Sequence, residues 1–385
     1  MSTANVSKLA IAWSFSPWGT GWSLSSPVMA GGAVYVSALR KSDNHMYLIA
    51  LDPGTGSVLW NLYVGVNAPP ALSGYTPPGP AVDNGLVYAS YYSQSGGFTF
   101  VRIAAIDVAS HLVKWTWVSP GASAFLGNSE LAVSNGLLVL GFRDFVASVD
   151  ATTGATLTYL LSNPSFPDRA MPVVFGTVAY MADEFMADEF MADSFPSALH
   201  AKNAKTGAWI WSNIGLSPNG VATWYANSLA LSSSKLFFGA NLAGLDIVHA
   251  VDTTTGGDLW YTLVDGRVYQ PPAVAANTVY AAVGLTDHQT GGSLYALDAT
   301  TGGLLWKTKV TEATNKFPCD CFDAGAVANG VVYVQHDGLL EAFNASTGKG
   351  LFKGKDLGLS SSPAIANGFV YVSSSQTVYA YKPFP

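Results

Sequence analysis

The fold class predicted by this sequence is all-β: a single eight-bladed β-propeller of four-stranded blades, closed by an N-terminal strand that completes the last blade. Three observations predict it. A unit of the form Ala-x-Asp-x-x-Thr-Gly-x-x-x-Trp recurs seven times along the 385 residues. A strand–turn–strand unit recurs eight times, interleaved with the first. A lone strand near the N-terminus supplies the piece that the last blade lacks.

The first unit is clearest in "ALDATTGGLLW", Ala296 to Trp306. Its Asp or Asn stands at positions 52, 107, 150, 203, 252, 298 and 344. The spacing averages about 49 residues, the length of a four-stranded propeller blade. Each residue type has a mechanical use. The Asp and Thr side chains bond turn backbone, and the Gly takes a left-handed conformation. The small Ala leaves room for a ring from a neighbouring blade, and the Trp fills such a gap.

The second unit reads as two strands joined by a tight turn, as in "SPVMAGGAVYVSA" and "SPAIANGFVYVSSS". Its Asn-Gly and Gly-Gly pairs supply the positive φ that short hairpins need. Each blade is therefore strand A, a tight turn, strand B, then strands C and D around the Asp–Thr–Gly turn. The eighth copy stops at "SQTVYAYKPFP", with no strand D. "LAIAWSF", Leu9 to Phe15, has the D-strand pattern with Trp13 in the docking position. It is expected to close the ring. Residues 1–385 are read as one domain.

Composition excludes several function classes. Hydrophobic residues are 49% and charged residues only 11%, too few charges for a disordered chain. The net charge of -7 gives no basic footprint, so no nucleic-acid partner is expected. No apolar run is long enough to span a membrane. The start, Met-Ser-Thr-Ala-Asn-Val, has no signal-peptide pattern. The low Lys and Arg content still suits an exported protein. A periplasmic or secreted location is expected, with the signal absent or removed; a cytoplasmic one is the alternative. A monomer is expected.

The repeat unit resembles that of the pyrroloquinoline quinone (PQQ) enzymes. That family includes quinoprotein alcohol dehydrogenases and cofactor-free relatives such as the bacterial outer-membrane assembly propeller. The resemblance covers nearly the whole chain and implies the propeller fold. PQQ with calcium is implied by the resemblance alone. Two departures stand against carrying the cofactor over. The family's enzymes carry two adjacent cysteines, whereas here Asp320 separates Cys319 from Cys321. A Cys-x-x-Cys-His haem attachment motif is missing as well.

Functional residues are expected on the face where D–A loops and B–C hairpins open. The aromatic and polar residues of the D–A loops suit a sugar, another small molecule or a planar cofactor in the axial funnel. The binding candidates are Trp18, Trp22, Tyr75, Trp224, Tyr225, Tyr269 and Gln270. If there is chemistry, a PQQ-type dehydrogenase is the leading reading, and a cofactor-free enzyme of the same descent is the other. The catalytic candidates are Cys319, Cys321, Asp323, Lys316, Arg267, Asp168 and Arg169. The two thiols read either as packed thiols or as a redox pair, with Lys316 placed to lower a thiol pKa. Two thiolates alone do not make a closed zinc site, and no metal site is expected. The alternative function is a non-catalytic scaffold with a protein partner.

The histidines form no cluster in sequence. His200 and His249 read as packing residues before the small residue of strand C. His45, His288 and His336 fall in B–C hairpins, where solvated tips are the commoner outcome and acid–base work the rarer one. The tandem "MADEFMADEFMADSF" reads as an extended B–C hairpin of blade 4, residues 181–195. A five-residue step scatters its acids around a helix and across both faces of a strand, which argues against a metal site. Phe185, Phe190 and Phe195 are expected to shape access to the mouth.

Overall fold

The protein is described by a computed structural model covering residues 1–19, 21–66, 76–122, 130–141, 145–161, 172–182, 199–213, 223–225, 229–242, 244–268, 270–284, 292–310 and 322–384. The described residues form eight antiparallel sheets. Each is ordered A, B, C, D along the chain, and the A strands of successive blades lie side by side around the axis. Blade 1 contains B (Ala33–Arg40), C (His45–Leu51) and D (Val58–Val66). Its A strand is split into Trp22–Leu24 and Val28–Ala30. The eighth sheet holds Ala364–Ala366, Phe369–Ser373 and Val378–Pro383, with Leu9–Phe15 paired antiparallel to the last of these. The expected closing strand is thus in place.

The turn of the repeat folds as its residues dictate. Asp52 Oδ1 accepts hydrogen bonds from the Gly54 and Thr55 amides, at 3.0 and 2.8 Å, and from the Thr55 hydroxyl at 2.8 Å. The same pattern recurs at Asp150, Asp252 and Asp298. Asn203 and Asn344 make the two amide bonds through their side-chain oxygen. These bonds hold Asp52 below the usual carboxylate range, and with an added bond from Lys114 they take Asp107 to about 2.

The turn is also a docking surface. Gly56 lies at φ +73, and a Cβ there would stand 2.5 Å from the Trp13 ring. Only glycine meets both demands. Trp13 donates its Nε1 proton to the Pro53 carbonyl at 3.0 Å, and the Tyr371 hydroxyl donates to the same oxygen at 3.1 Å. Trp13 and Tyr371 both belong to blade 8, so this carbonyl of blade 1 ties the ring shut.

The arrangement repeats between other blades. Trp306 and Tyr280 both donate to Ala345, and Trp211 and Tyr180 both donate to Thr253. The rings of each pair sit 5.9 to 6.0 Å apart. At the blade 5–6 junction Phe237 replaces the tyrosine, and Trp260 donates to Ala299 together with the Lys235 ammonium. The buried cores lie at these junctions. One joins Trp13, Tyr371, Val378 and Ala380 of blade 8 to Leu24, Val34, Val36 and Ile49 of blade 1.

Other junctions are built differently. At blade 1–2, His111 stands where the glycine is expected, and its ring stacks on Trp60 at 4.9 Å. At blade 3–4, Thr158 replaces the tryptophan, and the Ser148 hydroxyl bonds both Thr158 and the Ala204 carbonyl.

Trp13→Ala should lower the unfolding free energy by about 3–5 kcal/mol, the usual cost of truncating a buried large aromatic. Trp18→Ala, at an exposed loop position, should change it by about 0.5 kcal/mol or less. Urea denaturation followed by circular dichroism measures both.

The turn carboxylates have lowered folded pKa values. Their stabilisation is therefore present above the unfolded value, about 4, and lost as pH falls through the folded value. The urea midpoint should drop between pH 4 and about 2. Asp107→Asn should flatten that dependence while keeping the turn, since Asn203 and Asn344 already make it.

Candidate functional site

The A–B hairpins and C–D turns share one face of the ring. The D–A loops and B–C hairpins share the other. Blade 1 presents a cluster of side chains on that second face. The short strand Trp22–Leu24 pairs with the end of strand B, and Arg40 pairs with His45 at the start of strand C. Trp22, Arg40 and His45 thereby line up at the edge of the face, beside blade 8.

Aromatic rings surround this line. Trp18 lies edge-on to Phe15 at 6.5 Å and to Trp22 at 6.1 Å. Trp22 meets Tyr47 at 5.4 Å, Tyr47 meets Tyr63 at 5.8 Å, and Tyr63 meets His45 at 4.9 Å. Trp22 itself is buried and donates Nε1–H to the Trp18 carbonyl at 3.0 Å. Trp18 is 58% exposed.

Arg40 sits over two of these rings, 5.8 Å from Trp22 and 5.3 Å from Tyr47. Its fork donates to Asp43, Nε to Oδ1 at 3.0 Å and Nη2 to Oδ2 at 2.6 Å. His45 Nδ1 lies 3.2 Å from Arg40 Nη2. The hydrogen bond from Arg40 holds the Asp43 carboxyl below its ordinary range. The result is a cluster of tilted and edge-on aromatic rings with an ionised polar edge.

Blade 7 carries a second group on the same face. Strand B, Val331–His336, ends in a histidine that is 0% exposed. The expectation of a solvated hairpin tip is corrected here. The segment after strand D crosses over the hairpin, with Leu357 and Leu359 bonded to the Gly338 carbonyl. Leu359 also bridges to Ser374 of blade 8. Gln335 donates to the Leu359 carbonyl at 2.7 Å. His336 lies 3.5 Å from Asp337 through Nδ1 and 3.5 Å from the buried Glu341 through Nε2. Burial pushes the imidazole pKa down, but the two carboxylates outweigh it and raise the pKa above its ordinary value.

The other sequence candidates fall as follows. Arg267 is exposed, and its backbone bridges Gly284 of blade 6. Gln270 is half-buried three residues further on. Trp224 and Tyr225 lie on the short strand Thr223–Tyr225, and Asp323 lies on Phe322–Ala328. Tyr75, Asp168, Arg169, Tyr269, Lys316, Cys319, Cys321 and the acidic repeat from Asp183 on lie outside the described residues. His200 bonds Ser212 at 2.8 Å, and the fully buried His249 lies 3.2 Å from Asp258.

The structure also brings together residues that were not singled out from the sequence. Asp265, in the loop between blades 5 and 6, accepts from the Tyr295 hydroxyl and from Lys307, both at 2.6 Å. This ties the loop of blade 5 to strands C and D of blade 6. The signal available in sequence was only an acid in a D–A loop. The aromatic and basic partners stand on strands, where they read as ordinary repeat positions.

Among the described residues, no group of three or more His, Cys, Asp or Glu is placed to hold a metal ion. No helix among the described residues is long and apolar enough to cross a membrane.

A family model described as outer membrane protein assembly factor BamB matches residues 8–165 and 196–376. The unmatched stretch holds strands A and B of blade 4 and the acidic repeat. BamB from Moraxella catarrhalis superimposes with a TM-score of 0.65 at 17% identity, covering 97% of this chain and 99% of that one. Quinohemoprotein alcohol dehydrogenase from Comamonas testosteroni gives 0.67 at 16% identity, covering 99% of this chain and 77% of that one. A europium-containing methanol dehydrogenase gives 0.65 at 13% identity, covering 99% and 94%. At these identities the likeness is one of fold. No curated protein matches the sequence significantly.

The blade 7 group has a definite pH signature. Because the folded pKa of His336 is raised, its contribution to stability is full below about pH 6.5 and lost as pH rises through the folded value. Amide hydrogen exchange of hairpin residues 336–341 should therefore quicken as pH rises through that range, beyond the intrinsic base-catalysed rate. Glu341→Gln should move the transition to lower pH.

Proposed function

The chain belongs to the family described as outer membrane protein assembly factor BamB, and from that premise we propose that it is a non-catalytic scaffold that holds a protein partner. The partner sits on the face formed by the D–A loops and B–C hairpins. The observation that carries this reading is the family match itself, which covers residues 8–165 and 196–376. Two further points support it. The repeat residues are committed to joining blades, as Trp13, Tyr371 and Gly56 illustrate, and so are not free for chemistry. The loop-bearing face has exposed Trp, Tyr and Arg side chains, the residue types that dominate protein interfaces. A periplasmic or secreted location is part of the proposal.

The runner-up is a PQQ-dependent dehydrogenase with a funnel ligand. Its support is the fold likeness to the quinohaemoprotein and methanol dehydrogenases.

One experiment separates the two. A photo-crosslinking amino acid is placed at Phe98, on the B–C hairpin of blade 2, and at Phe175, on the A–B hairpin of blade 4. These sites are on opposite faces, and both are exposed. In source cells, position 98 should give a discrete protein adduct and position 175 should not. Adducts of equal yield from both positions, or none from position 98, would contradict the scaffold reading. So would dye-linked dehydrogenase activity on adding PQQ and Ca²⁺ to the purified protein.

A further inference from the structure

We propose that the Trp18 platform at the boundary of blades 8 and 1 is a binding site for a neutral carbohydrate. The site shares Trp18 and Arg40 with the face proposed for a protein partner, and the test below distinguishes the two occupants.

The first observation is a prepositioned, open indole. Trp18 is 58% exposed, yet its ring is braced at right angles by Phe15 (86°) and obliquely by Trp22 (65°). Its carbonyl is held by the Trp22 Nε1–H. A ligand that stacks there pays little to order the ring. The electron-rich indole face attracts the weakly positive C–H hydrogens that line one side of a pyranose.

The second observation is the polar edge. Asp43, Arg40 and His45 form one hydrogen-bonded network, with the Arg40 fork on Asp43 and His45 Nδ1 3.2 Å from Arg40 Nη2. Asp43 accepts three bonds from Arg40 and one from the His45 amide, all inside this network. The outer faces of these groups remain toward solvent, since Arg40 and Asp43 are each about one-third exposed. Carboxylate, guanidinium and imidazole together offer both acceptors and donors to adjacent hydroxyls. A stacking face linked to such an edge through Trp22, which lies 6.1 Å from Trp18 and 5.8 Å from Arg40, matches the two-sided chemistry of a sugar ring better than that of an apolar segment.

Charge selects among ligands. The Asp43 carboxylate and the net charge of -7 disfavour an acidic glycan. A cationic ligand is disfavoured too, because Arg40 already occupies the position over the Trp22 and Tyr47 rings. A neutral sugar remains.

The test is isothermal titration with maltohexaose and with cellohexaose as probes, on the purified full chain. Wild type should bind one of them with a quench of tryptophan fluorescence. Trp18→Ala should weaken that binding at least tenfold, about 1.4 kcal/mol. Asp43→Asn should weaken it as well. Trp209→Ala removes an exposed tryptophan of blade 4 that lies outside the platform, and it should leave binding unchanged. Equal melting temperatures for wild type and the three variants would confirm that each is folded. Failure of wild type to bind either sugar at millimolar concentration overturns the proposal. So does binding that Trp18→Ala leaves intact. A protein adduct from a crosslinker at position 18, with no sugar binding, also overturns it and gives the platform to the protein partner.

Discussion

The ring depends on one contact made over and over: a tryptophan from the outer strand of one blade, pressed onto the Asp–Thr–Gly turn of the next. The contact needs three things at once. The turn must hold its shape, which the Asp or Asn side chain ensures. The turn must be bare at one position, which the glycine ensures. A carbonyl must point at the ring, where it accepts the indole N–H. A tyrosine on strand B of the same blade often bonds that carbonyl too, so two strands of a sheet are fixed to the next blade by one oxygen. Closure is the same contact made between the ends of the chain. Trp13 docks on blade 1 as Trp306 docks on blade 7.

This constraint sorts the molecule into two faces. The turn face carries the repeat residues, and these are occupied in holding blades together. The opposite face is built from connections that the repeat leaves free to differ. The exposed Trp18, the Arg40–Asp43 pair and the crossed-over hairpin of blade 7 all lie there. Membership of the assembly-factor family and structural likeness to dehydrogenases are compatible on this basis, because such a frame tolerates many kinds of loop.

Much of the frame was legible in the sequence because the docking contact uses rare residues at fixed spacing. Trp13 was readable as a displaced D-strand tryptophan, and Asp52, Thr55 and Gly56 as a turn. The site was less legible. Trp18 and Trp22 stand in a loop that reads as aromatic-rich, but Trp22 is buried, on the first half of a split strand A that pairs with the end of strand B. Arg40, Asp43 and Tyr63 come from a strand end, a hairpin and a different strand. Only the register of blade 1 brings them together, and register depends on the whole sheet. His336 looked like a hairpin tip because the covering segment lies some twenty residues later, after strand D.

The most direct test of this account is a double-mutant cycle between Trp13 and Gly56, read by urea denaturation. Gly56→Ala carries a backbone cost of about 1–2 kcal/mol for placing a side chain at positive φ, whatever stands opposite. If the indole is docked on the turn, the same change should cost clearly more in wild type than in the Trp13→Ala background, where the clash is gone. Equal costs in the two backgrounds would contradict the claim that this contact closes the ring.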